Sequence, residues 1–258
     1  MARRTRATAQ SNTYRFFIDP AAIQGGRVEL HDADLARQIG VVLRMIPGDR
    51  LVLLDGSGMQ YLVVLEQVER GFVAGSVAER SAAAGEPEFQ LTLYAALIRA
   101  ERFEWLLQKG TEIGVHAFVP LICEHTISEA GNMLKKTERW QRIIREAAEQ
   151  SRRGLLPHIH QPQLFADACA AAHQHVRLLL WEAAGATGLR TTLATCAPLA
   201  GTGAIFSGPE GGLTDNERRI AVQHGIMPVS LGPRTLRAET APLAAAAALL
   251  CAAGDLGQ

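Results

Sequence analysis

Three features of the chain predict an α/β protein with a smaller β-rich part ahead of it. Residues 14–77 break into short apolar runs separated by Gly and Pro turns. From residue 89 onward, strand-like runs alternate with helix-like ones. Near the end, two glycine-containing turns each join a short apolar strand to a helix start. Short strands with tight turns argue for a small β-barrel, and strands alternating with helices argue for a mostly parallel sheet.

Residues 1–12 carry Arg3, Arg4 and Arg6 with no apolar stretch behind them, which reads as a flexible basic start and not a secretory signal. Residues 14–18 form the first expected strand. Asp32 or Asp34 can cap a short helix in which Leu35, Ile39, Val42 and Leu43 share one face. Pro47-Gly48 turns the chain into a strand at 50–54, and Gly56-Ser57-Gly58 turns it into another at 59–68. A further strand follows at 72–77. Residues 81–88 are small and polar, with Gly85 and Pro87, and read as a linker between parts spanning 1–80 and 89–258.

The second part opens with an apolar strand at 91–98. A helix at 102–113 buries Phe103, Leu106, Leu107 and Ile113, with Gly114 as its stop. A strand at 118–122 precedes an amphipathic helix at 138–150, which turns Trp140, Ile143, Ile144, Ala147 and Ala148 inward. Arg152 and Arg153 then concentrate positive charge ahead of Gly154 and Pro157. They serve either as a solvated helix end favoured by the dipole or as contacts for an anionic ligand. A small-residue helix at 164–172 and a buried strand at 176–181 lead to the glycine-rich region. Thr214 and Glu217 have capping-box spacing, so a helix starts there.

Composition sets outer limits. The 258 residues are 48% hydrophobic and 20% charged, which is ordinary for a globular protein. With 26 basic and 26 acidic residues, no global field announces a polyanionic partner, so any such binding needs a local patch. Only three of the basic residues are lysines, Lys109, Lys135 and Lys136. Cys123, Cys169, Cys196 and Cys251 are scattered, match no zinc spacing and suit a reducing cytoplasm. His158-x-His160 and His173-x-His175 lack a third ligand at suitable spacing, so no metal is expected. No apolar run approaches membrane-spanning length.

The chemistry concentrates in residues 205–250. Gly208, Gly211 and Gly212 let a ligand approach the main chain closely. The second turn, Leu231-Gly232-Pro233-Arg234, runs into Leu236, Arg237, Glu239 and Thr240. Two such turns at the carboxyl ends of neighbouring strands form one crevice, where open α/β sheets bind ligands. Neither turn matches a nucleotide-phosphate loop.

Gly208-Pro209-Glu210-Gly211-Gly212-Leu213, followed by Leu231-Gly232-Pro233-Arg234-x-Leu236-Arg237-x-Glu239-Thr240, closely resembles the signature of the RsmE family. These are SPOUT-superfamily methyltransferases that act on N3 of a uridine in 16S ribosomal RNA of the small ribosomal subunit. Val42-Leu43-Arg44 with Pro47-Gly48-Asp49, Gln108 to Val115, and Glu146 to Arg153 extend the resemblance over nearly the whole chain. The chain departs from the family at His125, where arginine is common, and at Arg152, where glycine is frequent.

The resemblance implies a C-terminal SPOUT α/β trefoil-knot domain behind a PUA-like RNA-binding β-barrel, in a cytoplasmic homodimer packed through the C-terminal domain. It also implies S-adenosylmethionine as cofactor, held by Trp181, Glu182, Gly208, Pro209, Glu210, Gly211, Leu231, Gly232, Leu236 and Thr240. Arg237 then stabilises charge on the uracil, and Glu239 is either a base, an orienter or a purely structural partner. Arg15, Arg44, Lys109, Arg152 and Arg153 are the RNA-contact candidates, with surface ion pairing as the alternative for Arg15 and Arg44. The competing functions are a SPOUT enzyme acting on another RNA or base, and a non-catalytic ribosome-assembly protein.

Overall fold

The computed structural model describes residues 13–126, 136–182 and 186–256. Arg3, Arg4, Arg6, Lys135, Ala183 and Ala184 lie outside the described residues. The chain divides into two compact units: residues 1–84 with 152–155, and residues 85–151 with 156–258.

The first unit is a six-stranded sheet. Its strands are β1 (Arg15–Phe17), β2 (Ile23–Gln24), β3 (Arg27–Leu30), β4 (Arg50–Leu54), β5 (Met59–Glu69) and β6 (Phe72–Ala82), in the order β1-β4-β5-β6-β3-β2. The β1–β4 pair is parallel and the others antiparallel. Alternation along β5 buries Tyr61, Val63 and Leu65 against Phe16, Leu51, Leu53 and Val73. Two register shifts in the β5–β6 ladder, at Leu62/Val63 and Leu65/Gln67, bend that long hairpin. Strand β6 runs to Ala82, five residues beyond the stretch its apolar pattern marks.

Asp32 caps α1 (Ala33–Arg37) as expected, accepting hydrogen bonds from the Asp34 and Leu35 amides. The single apolar face predicted for this segment is not found. Residues Gln38–Val42 form a π-helical turn, closed by the Leu43 amide donating to the Gln38 carbonyl at 2.9 Å. The wider turn changes the angular spacing, so Ile39 is buried while Val42 is 66% exposed.

The second unit is built on an eight-stranded sheet in which every pairing is parallel. Its strands are β7 (Gln90–Ala96), β8 (Ala117–Ile122), β9 (His158–Ile159), β10 (Gln163–Leu164), β11 (Val176–Leu180), β12 (Thr187–Gly188), β13 (Thr202–Ser207) and β14 (Met227–Ser230). The order is β10-β8-β7-β13-β11-β14-β12, with β9 also on β8. Its helices are α2 (Ala100–Ile113), α3 (Thr137–Gln150), α4 (Phe165–Ala171), α5 (Leu189–Cys196), α6 (Asp215–Gln223) and α7 (Thr240–Ala253).

Period-two alternation sends side chains of the same strand into two cores. Leu91, Leu93, Leu178 and Ile205 join Phe103, Leu107, Trp140 and Leu249 on the face covered by α2, α3 and α7. Tyr94, Leu179, Ala204 and Phe206 join Phe165, Cys169 and Ala221 on the face covered by α4 and α6. Gly114 ends α2 at φ +115°, as its position predicts. Within α2, a Cβ on Gly110 would stand 2.7 Å from the Phe118 ring, so the helix lies on β8 only because this position has no side chain.

Burial, and then the Glu217 carboxylate, push the thiols of Cys123 and Cys169 up, the latter to about 12. Both remain neutral in the fold, whereas the unfolded chain ionises them at the ordinary thiol value. Their contribution is therefore complete below that value and lost between it and about 12 for Cys169. In mildly alkaline solution we expect iodoacetamide to label exposed Cys251 before Cys123 or Cys169, as followed by peptide mass spectrometry.

Candidate functional site

Strands β13, β11 and β14 run parallel, so the loops that follow them leave from the same sheet edge. The two glycine turns do not follow adjacent strands as the sequence suggests, because β11 lies between β13 and β14. Its own loop, beginning at Trp181 and Glu182, adds a third wall to the crevice that both glycine turns line. The three loops enclose a cavity of about 670 Å³.

Each wall is fixed locally. The Trp181 amide donates to the Val229 carbonyl at 3.0 Å, and the Trp181 ring lies 5.5 Å from the Arg218 guanidinium. After β13, the first turn closes with the Gly212 amide on the Pro209 carbonyl at 2.9 Å, and Gly212 takes φ +74°. The capping box then forms in full. The Glu217 amide donates to Thr214 Oγ1 at 3.2 Å, and the Thr214 amide donates to Glu217 Oε2 at 2.8 Å. The other carboxylate oxygen, Glu217 Oε1, accepts from the Glu124 amide at 2.9 Å, so one buried side chain joins the end of β8 to the start of α6. After β14, Gly232 at φ +103° turns the chain, with its amide on Ser230 Oγ at 3.2 Å.

The crevice brings together Trp181, Glu182, Gly208, Pro209, Glu210, Gly211, Leu231, Gly232, Leu236 and Arg237. Thr240 is not among the lining residues; it begins α7 with its amide on the Arg237 carbonyl. Nor is Glu239, which is only 8% exposed. Glu239 neither caps α7 through its side chain nor pairs with Arg237 among the described residues. Its Oε1 lies 3.8 Å from Arg102 Nε, and its buried Oε2 has no hydrogen-bond partner among the described residues.

Arg102 lines the cavity too, and sequence reasoning misses it. It stands in the first turn of α2, and its Nη1 lies 3.6 Å from Glu210 Oε1. One guanidinium thus faces a carboxylate from the first glycine turn and another at the start of α7. The available signal was a basic residue at a helix start, where the dipole disfavours it, so another partner is implied.

The RNA-contact candidates are dispersed. Lys109 is held by Glu112 at 2.7 Å. Arg44, at φ +54°, and Arg152, at φ +65°, are exposed on left-handed backbone that non-glycine residues rarely adopt. Arg15 donates to Gln60 Oε1 at 2.8 Å, and burial followed by the nearby charge of Arg152 lowers its pKa. Arg153 is buried, at 2% exposure.

The parallel α/β sheet and the crevice at its carboxyl edge lie within a domain of the RNA methyltransferase class: the RNA methyltransferase domain family matches residues 85–250. Ribosomal RNA small subunit methyltransferase E of a Synechocystis strain is 36% identical over 236 residues, covering 91% of this chain and 76% of that protein. The Bacillus subtilis protein of the same name is 32% identical over 81% of this chain and 84% of its own length. Among solved structures, the Neisseria gonorrhoeae enzyme of that name, bound to S-adenosyl methionine, superposes with a TM-score of 0.83 at 30% identity, covering 93% of this chain and 97% of that one. A Legionella pneumophila protein in complex with the same cofactor gives 0.83 at 33% identity, over 94% and 98%. The chain belongs to the ribosomal RNA small subunit methyltransferase E family.

Proposed function

We propose that this protein transfers the methyl group of S-adenosylmethionine to N3 of one uridine in 16S rRNA of the small ribosomal subunit. The observation that carries the reading is the single crevice walled by both glycine turns and by the loop after β11, with Arg237 in its lining. Its volume falls within the roughly 300–1,000 Å³ usual for small-molecule sites. Gly208, Gly211, Gly212 and Gly232 let a ligand come close to the main chain along it, which suits a cofactor whose adenine edge is read by amides and carbonyls.

Bound there, S-adenosylmethionine would supply a sulfonium-activated methyl group. Trp181, Glu182, Pro209 and Glu210 would shape the pocket around the cofactor and Leu231 and Leu236 would pack on its ring, while Thr240 anchors the second turn to α7. Held alignment alone is worth several kcal/mol. The uracil N3–H is a weakly acidic imide and loses its proton before or during attack. Arg237 stabilises the charge that builds on the uracil oxygens, by preorganised electrostatics. Glu239 acts as an orienter, keeping Arg102 between the first turn and the start of α7.

Reaching N3 requires an unpaired or splayed-out base. Residues 1–80, with β6 continuing to Ala82 and residues 152–155 joining them, serve as the PUA-like RNA-binding part, and the rest of 89–258 as the SPOUT domain, with the trefoil knot the resemblance implies. Arg15, Arg44 and Arg152 take RNA phosphates with buried Arg153 behind them in the first unit, and Lys109 contacts RNA from the second. Two like charges near each other in the first unit, Arg15 and Arg152, favour an anionic ligand. The protein works in the cytoplasm as a homodimer packed through the C-terminal domain, with no metal. The test is incubation with methyl-labelled S-adenosylmethionine and either small subunits or naked rRNA. Label at N3 of a single 16S uridine is expected. Label in tRNA alone, or cofactor binding without transfer, overturns the proposal.

A further inference from the structure

The first glycine turn is gripped from outside the crevice by a loop the family signature does not include. After β8, the chain passes through Cys123, Glu124 and His125. His125 Nδ1 lies 3.1 Å from the Gly211 carbonyl oxygen and 3.1 Å from that of Gly212. A carbonyl oxygen only accepts, so Nδ1 carries the ring proton and donates to both. The loop is braced in turn. The Glu124 amide donates to buried Glu217, Asn216 Nδ2 donates to Glu124 Oε1 at 3.2 Å, and the Cys123 amide donates to Thr126 Oγ1 at 2.7 Å.

The approach leaves little room for a side chain at position 211. A Cβ built on Gly211 would meet His125 Cβ at 3.0 Å. Glycine at 211 thus serves the imidazole outside the cavity as well as any ligand inside it.

A trans peptide is planar, with its C=O and the next N–H pointing in opposite directions. Holding the Gly211 and Gly212 carbonyls toward His125 therefore aims the Gly212 amide back across the turn, where it meets the Pro209 carbonyl at 2.9 Å, and the Leu213 amide away from His125. Gly211, Gly212 and Leu213 all line the crevice. One ring nitrogen thereby sets two successive peptide planes in the cofactor wall.

We propose that His125 is a positioning residue whose Nδ1–H sets the Gly211–Leu213 backbone for S-adenosylmethionine. The inference rests on the cofactor reading above. It also separates His125 from direct RNA contact.

The experiment uses the full chain, with S-adenosylmethionine affinity from calorimetry and steady-state kinetics on small subunits. His125→Ala is expected to raise the cofactor Kd and KM about fivefold to tenfold, the loss of one net hydrogen bond, with the RNA KM unchanged. His125→Asn places an amide N–H where Nδ1 stands and is expected to stay within about twofold of wild type for the same reason. His125→Gln, whose amide reaches the Nε2 position instead, should behave like the alanine variant. Because His125 is exposed, all three variants are expected to stay folded, with unfolding temperatures within about 4 °C of wild type. An unchanged cofactor Kd in His125→Ala, or a raised RNA KM shared by the alanine and asparagine variants, overturns the proposal. If the wild type binds no S-adenosylmethionine, the cofactor reading itself fails. Tight wild-type binding with no effect in His125→Ala removes only the role given to His125.

Discussion

Arg237→Ala is expected to lower kcat for methyl transfer by roughly 100- to 1,000-fold, the usual cost of removing one preorganised donor from a charge-stabilising site. The unfolding temperature should barely move. Arg237 is an exposed side chain on the crevice wall with no side-chain partner among the described residues, so its loss breaks no contact of the fold. Its main chain, in contrast, matters to structure: the Arg237 carbonyl accepts the Thr240 and Ala241 amides at the start of α7, and alanine preserves both bonds. Arg237→Lys keeps the charge but not the planar fork, and should recover only part of the rate. The measurement is single-turnover transfer of labelled methyl to 16S rRNA alongside cofactor affinity. A variant with wild-type kcat would remove Arg237 from the chemistry, and a variant that merely raises the cofactor Kd would make it a binding residue.

Much of this site is legible along the chain because its parts are local. The Thr214–Glu217 capping box and the stop at Gly114 are consequences of a few adjacent residues, and each forms where the pattern places it, whereas of the three glycines in the first turn Gly212 alone takes a positive φ. Strand order is not local. Nothing in the glycine turns says that β11 comes between β13 and β14, so the third wall follows from topology and not from either motif. Arg102 and His125 are obscured for the same reason. His125 meets Gly211 across 86 residues of sequence, and Arg102 meets Glu210 only because α2 follows β7, the neighbour of β13. The π-turn at Gln38–Val42 is a different failure: a regular 3.6-residue period is assumed where one wider turn intervenes.

Trp140→Ala is expected to cost about 3–5 kcal/mol of stability, the range for truncating a large buried aromatic side chain. Trp140 is wholly buried on α3, and its ring centroid is 5.0 Å from that of Phe103 on α2, with the planes tilted by 51°. This contact helps hold α2 against α3, and the first turn of α2 carries Arg102 to Glu210. The stability loss should therefore appear at the crevice as well, as weaker cofactor binding before global unfolding. Trp140→Phe separates volume from polarity. The indole Nε1 is buried with no hydrogen-bond partner among the described residues, so phenylalanine leaves a small cavity but removes an unsatisfied donor. An unmet buried donor costs about 1–3 kcal/mol, which offsets the lost volume, so Trp140→Phe should fall within about 1 kcal/mol of wild type. Urea unfolding of the three proteins tests the argument. A phenylalanine variant as unstable as the alanine variant would mean that Nε1 is satisfied in solution and that the indole is held for its hydrogen bond as well as its bulk.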